Sequence, residues 1–308
     1  MKILISGYGS HAKRRIIPAL LKSKKVKDIH IISRNRENEK DNLNIKFVDL
    51  DLKDNKQTNY DYVIISSPPY AHKGNLLTLK SISNNFIIEK PIFTDLEDLK
   101  DEDFISKFKS KNIIEGLMYL YHPLWREVKN IFDNELVIEF TSSFTIPHIE
   151  KNNYRYYKDK GGGFTLDLGV YPVSLFFNLI EEEFDIFKSE MDYKENYEVD
   201  LGGNLEILTK NKILYKARWG VGFEYSNFLE IKTNKATYNF PSIFTKGEEY
   251  ESFYIKKTKT DETKIDIGNY DQFQLMYEYF FSNNINQLGE DSSLMKTYEL
   301  IFKILIRN

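Results

Sequence analysis

The feature that most constrains this chain is a glycine turn set close to its start. The apolar run at residues 2–6 leads directly into Gly7-Tyr8-Gly9-Ser10-His11-Ala12, and a helical stretch follows in which Ile16, Ile17, Ala19, Leu20 and Leu21 can face a sheet. This is a GxGxxA spacing at a strand-to-helix junction, the context in which such a spacing cradles a dinucleotide. Gly7 permits the tight turn, Gly9 lets the backbone approach a pyrophosphate, and the small Ala12 allows close packing of helix on strand. The helix N-terminus adds unpaired N–H groups and the positive end of its dipole. A glycine turn that merely joins strand to helix is the bland alternative, and placement at the first βα junction weighs against it.

Short apolar runs at residues 2–6, 29–33, 45–48, 62–66, 86–89 and 113–116 alternate with helical stretches. That alternation predicts one doubly wound parallel sheet, a Rossmann domain over residues 1–116. Beyond residue 134 the texture changes to longer alternating runs at 135–144, 203–209, 213–219 and 227–233, with one strong helix at 167–179 and helical stretches near 270–281 and 294–306. A second α/β domain with a large, mostly antiparallel open sheet is therefore expected over 117–308. Charged stretches at 34–41, 181–183 and 256–264 read as a solvated loop, a helix exit and a hairpin tip.

Length and composition narrow the function. A chain of 308 residues is about twice one ordinary domain. A formal net charge of −3 with dispersed basic residues lacks the footprint of a nucleic-acid binder. With no Cys, disulfides, thiolate nucleophiles and Cys-ligated metals are excluded; no metal site is expected, and the composition fits a cytoplasmic protein. The strand at residues 2–6 leaves no room for a secretory leader, and no apolar stretch reaches the ~18 residues of a membrane span.

The residue ending the second strand reads the adenosine ribose, and an acid there would favour NAD. Here the sequence is Ser33-Arg34-Asn35-Arg36, with guanidinium groups suited to a 2′-phosphate. NADP is preferred, with NAD as the alternative.

Further motifs stand in order. Ser66-Ser67-Pro68-Pro69-Tyr70-Ala71-His72 closes the fourth strand, Glu89-Lys90-Pro91 the fifth, and Gly161-Gly162-Gly163-Phe164-Thr165-Leu166-Asp167-Leu168-Gly169-Val170-Tyr171 comes far downstream. With the opening glycine turn, this set resembles the glucose–fructose oxidoreductase, inositol dehydrogenase and MocA (Gfo/Idh/MocA) family across nearly the whole chain. His122-Pro123 and the stretch from Tyr154 through Arg155 to Lys160 are similar too, whereas Leu120 stands where relatives often carry an Arg.

The resemblance implies cofactor contacts at Gly7, Tyr8, Gly9, Ser10, His11, Ala12, Ser33, Arg34, Ser66, Ser67, Pro68, His72, Glu89 and Lys90. It implies a catalytic group of Lys90, Asp167 and Tyr171, with His122 and Arg155 beside them on a sugar-like substrate. Hydride transfer to a carbonyl leaves negative charge on oxygen, which calls for a proton donor and a cation. Tyr171 and Lys90 have those chemistries, and Asp167 would orient the donor or bind a substrate hydroxyl. The bland readings are a surface lysine, a helix-start carboxylate and a core tyrosine. The expected function is hydride transfer at a carbinol or ketone of a sugar, nucleotide sugar or cyclitol, with an NAD-dependent glycosidase cycle or a non-catalytic dinucleotide sensor as alternatives. A homodimer or homotetramer is expected through one face of the second sheet, with the aromatic-rich strands around residues 219–228 as the candidate interface.

Overall fold

The structure, a computed structural model, describes residues 1–34, 44–49 and 59–307, and it divides into two compact units. Arg36 and the remainder of the loop expected at 35–41 lie outside the described residues. The first unit comprises residues 1–117 and 276–295, and the second 118–275 and 296–308. Residues 276–295 thus pack with the first unit although they follow the second in the chain.

In the first unit the strands are β1 (Lys2–Ser6), β2 (Asp28–Ile32), β3 (Ile45–Phe47), β4 (Tyr62–Ile65), β5 (Asn85–Ile88) and β6 (Asn112–Glu115). They pair in parallel throughout, in the order β3-β2-β1-β4-β5-β6. This is the doubly wound order, which reverses direction beside β1 and brings β1 and β4 together where such sheets bind ligands. The inner strands are apolar on both sides: Ile3, Leu4, Ile5, Val63, Ile64, Phe86 and Ile87 are wholly buried.

A widened helical turn (Ala12–Ile16) continues into α1 (Ile17–Lys22); α2 (His72–Leu79), α3 (Leu96–Leu99) and α4 (Glu102–Phe108) follow. Ala12, Ile16, Ile17, Ala19 and Leu20 are buried as expected, but Leu21 is 46% exposed. The widened turn advances the phase of the apolar stripe, and Leu21, near the helix end, swings out to solvent.

The second unit is built on eight strands: β7 (Val137–Ile146), β8 (Phe184–Met191), β9 (Gly202–Thr209), β10 (Leu214–Val221), β11 (Ser226–Thr233), β12 (Thr237–Phe240), β13 (Ser252–Lys257) and β14 (Glu262–Gly268). Their order is β14-β13-β12-β11-β7-β10-β9-β8, antiparallel except where β7 and β10 run parallel. The expected hairpin tip falls between β13 and β14. The helices are α5 (Pro123–Asn134), α6 (Val170–Leu179), α7 (Gln272–Phe280) and α8 (Ser293–Arg307).

One face of this sheet is sealed by α6, with Phe140 of β7, Phe176 of α6 and Tyr215 of β10 stacked at centroid separations of 4.3–6.4 Å. The hydroxyl of Tyr215 donates to the Pro172 carbonyl at 2.7 Å, so the buried phenol is satisfied. The other face carries charge pairs, Glu139 with Lys216 and Lys232 among them. Trp219, assigned above to the candidate interface, is wholly buried on the helix-covered side, because alternation along β10 places it on the same side as Tyr215 and Ala217.

Candidate active site

In the first unit the glycine turn has the shape its spacing predicts. Gly7 adopts φ +113°, and a Cβ there would stand 2.6 Å from the Ser66 carbonyl oxygen, so the turn lies directly against the end of β4. Its N–H donates to the Ile32 carbonyl at 2.9 Å, and that of Ser66 to the Ser6 carbonyl at 2.9 Å. Gly9 faces open space, with no heavy atom within 4 Å of where its Cβ would be. An open, unobstructed main chain at the start of a helix is what a pyrophosphate requires, and these residues fit a dinucleotide. Ala12 is wholly buried beneath the turn.

Around the cradle, Tyr8 packs edge-on against Phe47 and lies under the Lys13 ammonium at 4.4 Å. At the end of β2, Arg34 reaches the hydroxyl of Tyr70 at 3.5 Å; Ser33 precedes it. Both Arg34 and Tyr70 are exposed, placing a guanidinium and an aromatic ring together at the end of β2. His11 pairs with Glu89 across 3.3 Å. Glu89 in turn packs on Gly116, whose Cβ would lie 3.3 Å from its carboxylate. Ser67 accepts a hydrogen bond from the Asn75 amide at 2.8 Å, and Pro68 leads into the short turn Pro69–Ala71. Lys90 is half-buried, and His72 is 1% exposed, with its ring between two loops.

In the second unit the glycine triplet folds back on the segment before it. A Cβ on Gly162 would meet the carbonyl oxygens of Arg155 and Tyr157 at 2.5 and 2.6 Å, and Gly163, at φ +116°, donates its N–H to the Arg155 carbonyl at 2.9 Å. This return carries the Arg155 side chain to Asp167, with Nε 2.6 Å from Oδ2. Arg155 also lies over the Tyr154 ring at 4.7 Å. Burial opposes the guanidinium charge, but Asp167, with Tyr154 and Tyr171, more than offsets it and holds Arg155 protonated.

Asp167 sits in a widened turn (Thr165–Gly169) that opens α6, and Tyr171 is in the first turn of α6 itself. Tyr171 is 3% exposed; its ring contacts Phe144, Phe244 and Tyr119, and its hydroxyl points to the Met118 sulfur at 3.7 Å. His122 serves α5: Nδ1 accepts the Leu124 N–H at 3.1 Å, which leaves the proton on Nε2 to face the Ser252 hydroxyl at 3.3 Å. Burial, helped by Lys246, pushes its pKa down to about 3, so the ring is neutral.

Two groups that motif reading missed support this arrangement. Asp200, just before β9, accepts both the N–H and the hydroxyl of Thr165 at 2.7 Å, and the Thr165 hydroxyl accepts from the Trp219 indole at 2.8 Å. Burial pushes the Asp200 pKa up to about 6. Lys246 is 8% exposed with its amine on the Ile243 carbonyl, and burial draws its pKa down to about 7. An acid before a strand and a lysine in a loop carry no sequence signal of burial. No group of metal-ligating side chains occurs among the described residues.

Comparison with known proteins extends these observations. Residues 1–113 match the GFO_IDH_MocA family, described as an oxidoreductase family with an NAD-binding Rossmann fold. The dTDP-3,4-didehydro-2,6-dideoxy-alpha-D-glucose 3-reductase of Actinomadura kijaniata is 24% identical over 216 residues, which span 69% of this chain and 65% of the relative. The Saccharopolyspora spinosa enzyme of the same name is 22% identical over 195 residues, 62% of this chain and 59% of the relative. Among solved structures, the 3-ketoreductase KijD10 of Actinomadura kijaniata, in complex with NADP and TDP-benzene, superposes with a TM-score of 0.83 at 22% identity, covering 96% of this chain and 94% of the other. The aldose-aldose oxidoreductase of Caulobacter crescentus, complexed with glycerol, gives 0.81 at 15% identity, covering 100% and 98%. Residues 1–113 thus match the model of the Gfo/Idh/MocA oxidoreductase family, and the chain as a whole shares the fold of these solved structures.

Proposed function

We propose that this chain is an NADPH-dependent reductase of a keto group on a nucleotide-linked sugar, its first unit holding the dinucleotide and its second the sugar. The observation that carries this reading is the Arg155–Asp167 pair at the start of the helix that bears Tyr171. A carboxylate held by a guanidinium is built to accept from sugar hydroxyls, and it leaves the phenol as the proton donor. Two relatives support the substrate class, since those of Actinomadura kijaniata and Saccharopolyspora spinosa are 3-reductases of a dTDP-linked keto sugar.

When bound, the dinucleotide supplies the hydride. Tyr171 then gives its proton to the carbonyl oxygen, and the Lys90 ammonium stabilises the charge developing there. Arg155 fixes Asp167, which orients the sugar. Arg34 and Tyr70 receive the adenosine end and favour the 2′-phosphate. The protein is read as a cytoplasmic homodimer or homotetramer joined through the open face of the second sheet; no helix among the described residues is long and apolar enough to cross a membrane. The test is a panel of keto sugars, free and nucleotide-linked, offered with NADPH and NADH. The expected result is stoichiometric NADPH oxidation with a dTDP-linked keto sugar. Turnover without net cofactor change, or no turnover with any nucleotide-linked sugar, would overturn the proposal.

A further inference from the structure

His72 resembles a cofactor contact in sequence, yet its ring is buried and both its nitrogens face main-chain carbonyls. Nδ1 lies 2.9 Å from the carbonyl oxygen of Pro91, and Nε2 2.8 Å from that of Ser67. Those two carbonyls belong to the loops that leave β4 and β5, at the edge where a doubly wound sheet binds its ligand. Pro91 is bonded directly to Lys90. The Ser67 side of the bridge is itself fixed, since Asn75, on the same helix as His72, donates to the Ser67 hydroxyl.

A carbonyl oxygen only accepts, so each arm of the bridge needs an N–H on the ring. The neutral imidazole supplies one and the protonated ring both. Burial outweighs the two carbonyls and the nearby Glu89 carboxylate and lowers the ring's pKa, so the neutral ring donates to one carbonyl while its other nitrogen faces the second. A phenyl ring would fill the space and donate to neither carbonyl.

We infer that His72 is the positioning residue for Lys90, its ring clasping the Ser67 loop to the Pro91 loop and so setting where the ammonium stands. The inference rests on the proposed role of Lys90 as the catalytic cation. Displacing a catalytic group by about 1 Å can cost on the order of 10²-fold in rate, so a clasp one residue from Lys90 bears on kcat rather than on cofactor affinity.

The test uses the full chain with NADPH and a dTDP-linked 3-keto sugar. His72→Gln and His72→Phe should lower kcat about 10- to 100-fold, with KM and the NADPH Kd changed less than about threefold. In a Lys90→Ala background, His72→Phe should bring no further loss. NMR of the lysine side chains, with Lys90 identified by Lys90→Arg, should show the Lys90 signal displaced in His72→Gln while other lysines stay in place. Near-normal kcat, parallel losses in kcat, KM and Kd, an added loss in the Lys90→Ala background, or an unmoved Lys90 signal would each overturn the inference. If Lys90→Ala itself retains near-normal kcat, the catalytic reading of Lys90 fails, and the substrate-free NMR alone decides whether His72 sets its position. Should both variants fail to fold, the unmodified protein decides: at least one ring N–H of His72 should resist exchange with water, and free exchange of both would overturn the clasp.

Discussion

The Nε of Arg155 lies 2.6 Å from Oδ2 of Asp167, joining the segment before the glycine triplet to the helix start after it. Asp167 is only 9% exposed in its side chain, so removing Arg155 takes the guanidinium from a nearly buried carboxylate. Arg155→Ala should destabilise the fold by about 1–3 kcal/mol in urea unfolding. It should lower kcat/KM at least about tenfold and leave NADPH affinity unchanged, and Arg155→Lys should recover little, because an ammonium lacks the planar fork. Unchanged stability and turnover in Arg155→Ala would show the pair to be incidental.

The contact of Arg34 with Tyr70 bears on cofactor choice. Arg34→Ala should weaken NADPH binding about tenfold, near ~1.4 kcal/mol, while NADH binding changes little. Fluorescence titration with both nucleotides checks it; an unaltered preference would remove Arg34 from the 2′-phosphate site.

Tyr171→Phe deletes one oxygen and keeps the ring against Phe144, Phe244 and Tyr119. With NADPH and the reducible sugar, kcat should fall on the order of 10²- to 10³-fold, as should that of Lys90→Ala, with the double variant little slower than the worse single one. A Tyr171→Phe variant with near-normal kcat across pH 6–9 would make Tyr171 a packing residue.

Asp200 supplies a pH signature of stability. Its pKa is near 6 in the fold and about 3.9 when unfolded, so the fold favours the protonated form. The stability this contributes is complete below pH ~4 and is lost as the pH rises through about 6. Asp200→Asn does not titrate. The stability of Asp200→Asn relative to the unmodified protein should therefore rise between pH 4 and 7, by about 3 kcal/mol at most. A difference independent of pH would contradict the burial assigned to this carboxylate.

Much of this was legible in the sequence. The parallel strands β1, β4, β5 and β6 announced themselves because strands buried on both faces must be apolar along their length, and Gly7 stood out because a positive φ against Ser66 admits no side chain. β8 escaped notice because it carries the exposed residues Asp185, Phe187, Lys188 and Glu190 and a bulge after Ile186. The Asp200–Thr165–Trp219 chain joins residues up to 54 positions apart, and no local pattern encodes such a meeting. His72 was legible as a motif residue but not as a clasp, since which carbonyls a ring will face is decided by the return of two separate loops.

The return of residues 276–295 to the first unit has a consequence for how the protein is made. The hydroxyl of Tyr62, in a central strand of that unit, donates to the Phe280 carbonyl at 2.5 Å, and Ser23 to the Glu278 carboxylate; Gln287 accepts the Glu115 N–H at 2.8 Å. A nascent chain leaving the ribosome presents residues 1–117 long before these partners exist. The nucleotide-binding half therefore waits, incomplete along that side, until translation has passed residue 287, and a chain truncated after residue 117 would be released without the donors and acceptors that finish it.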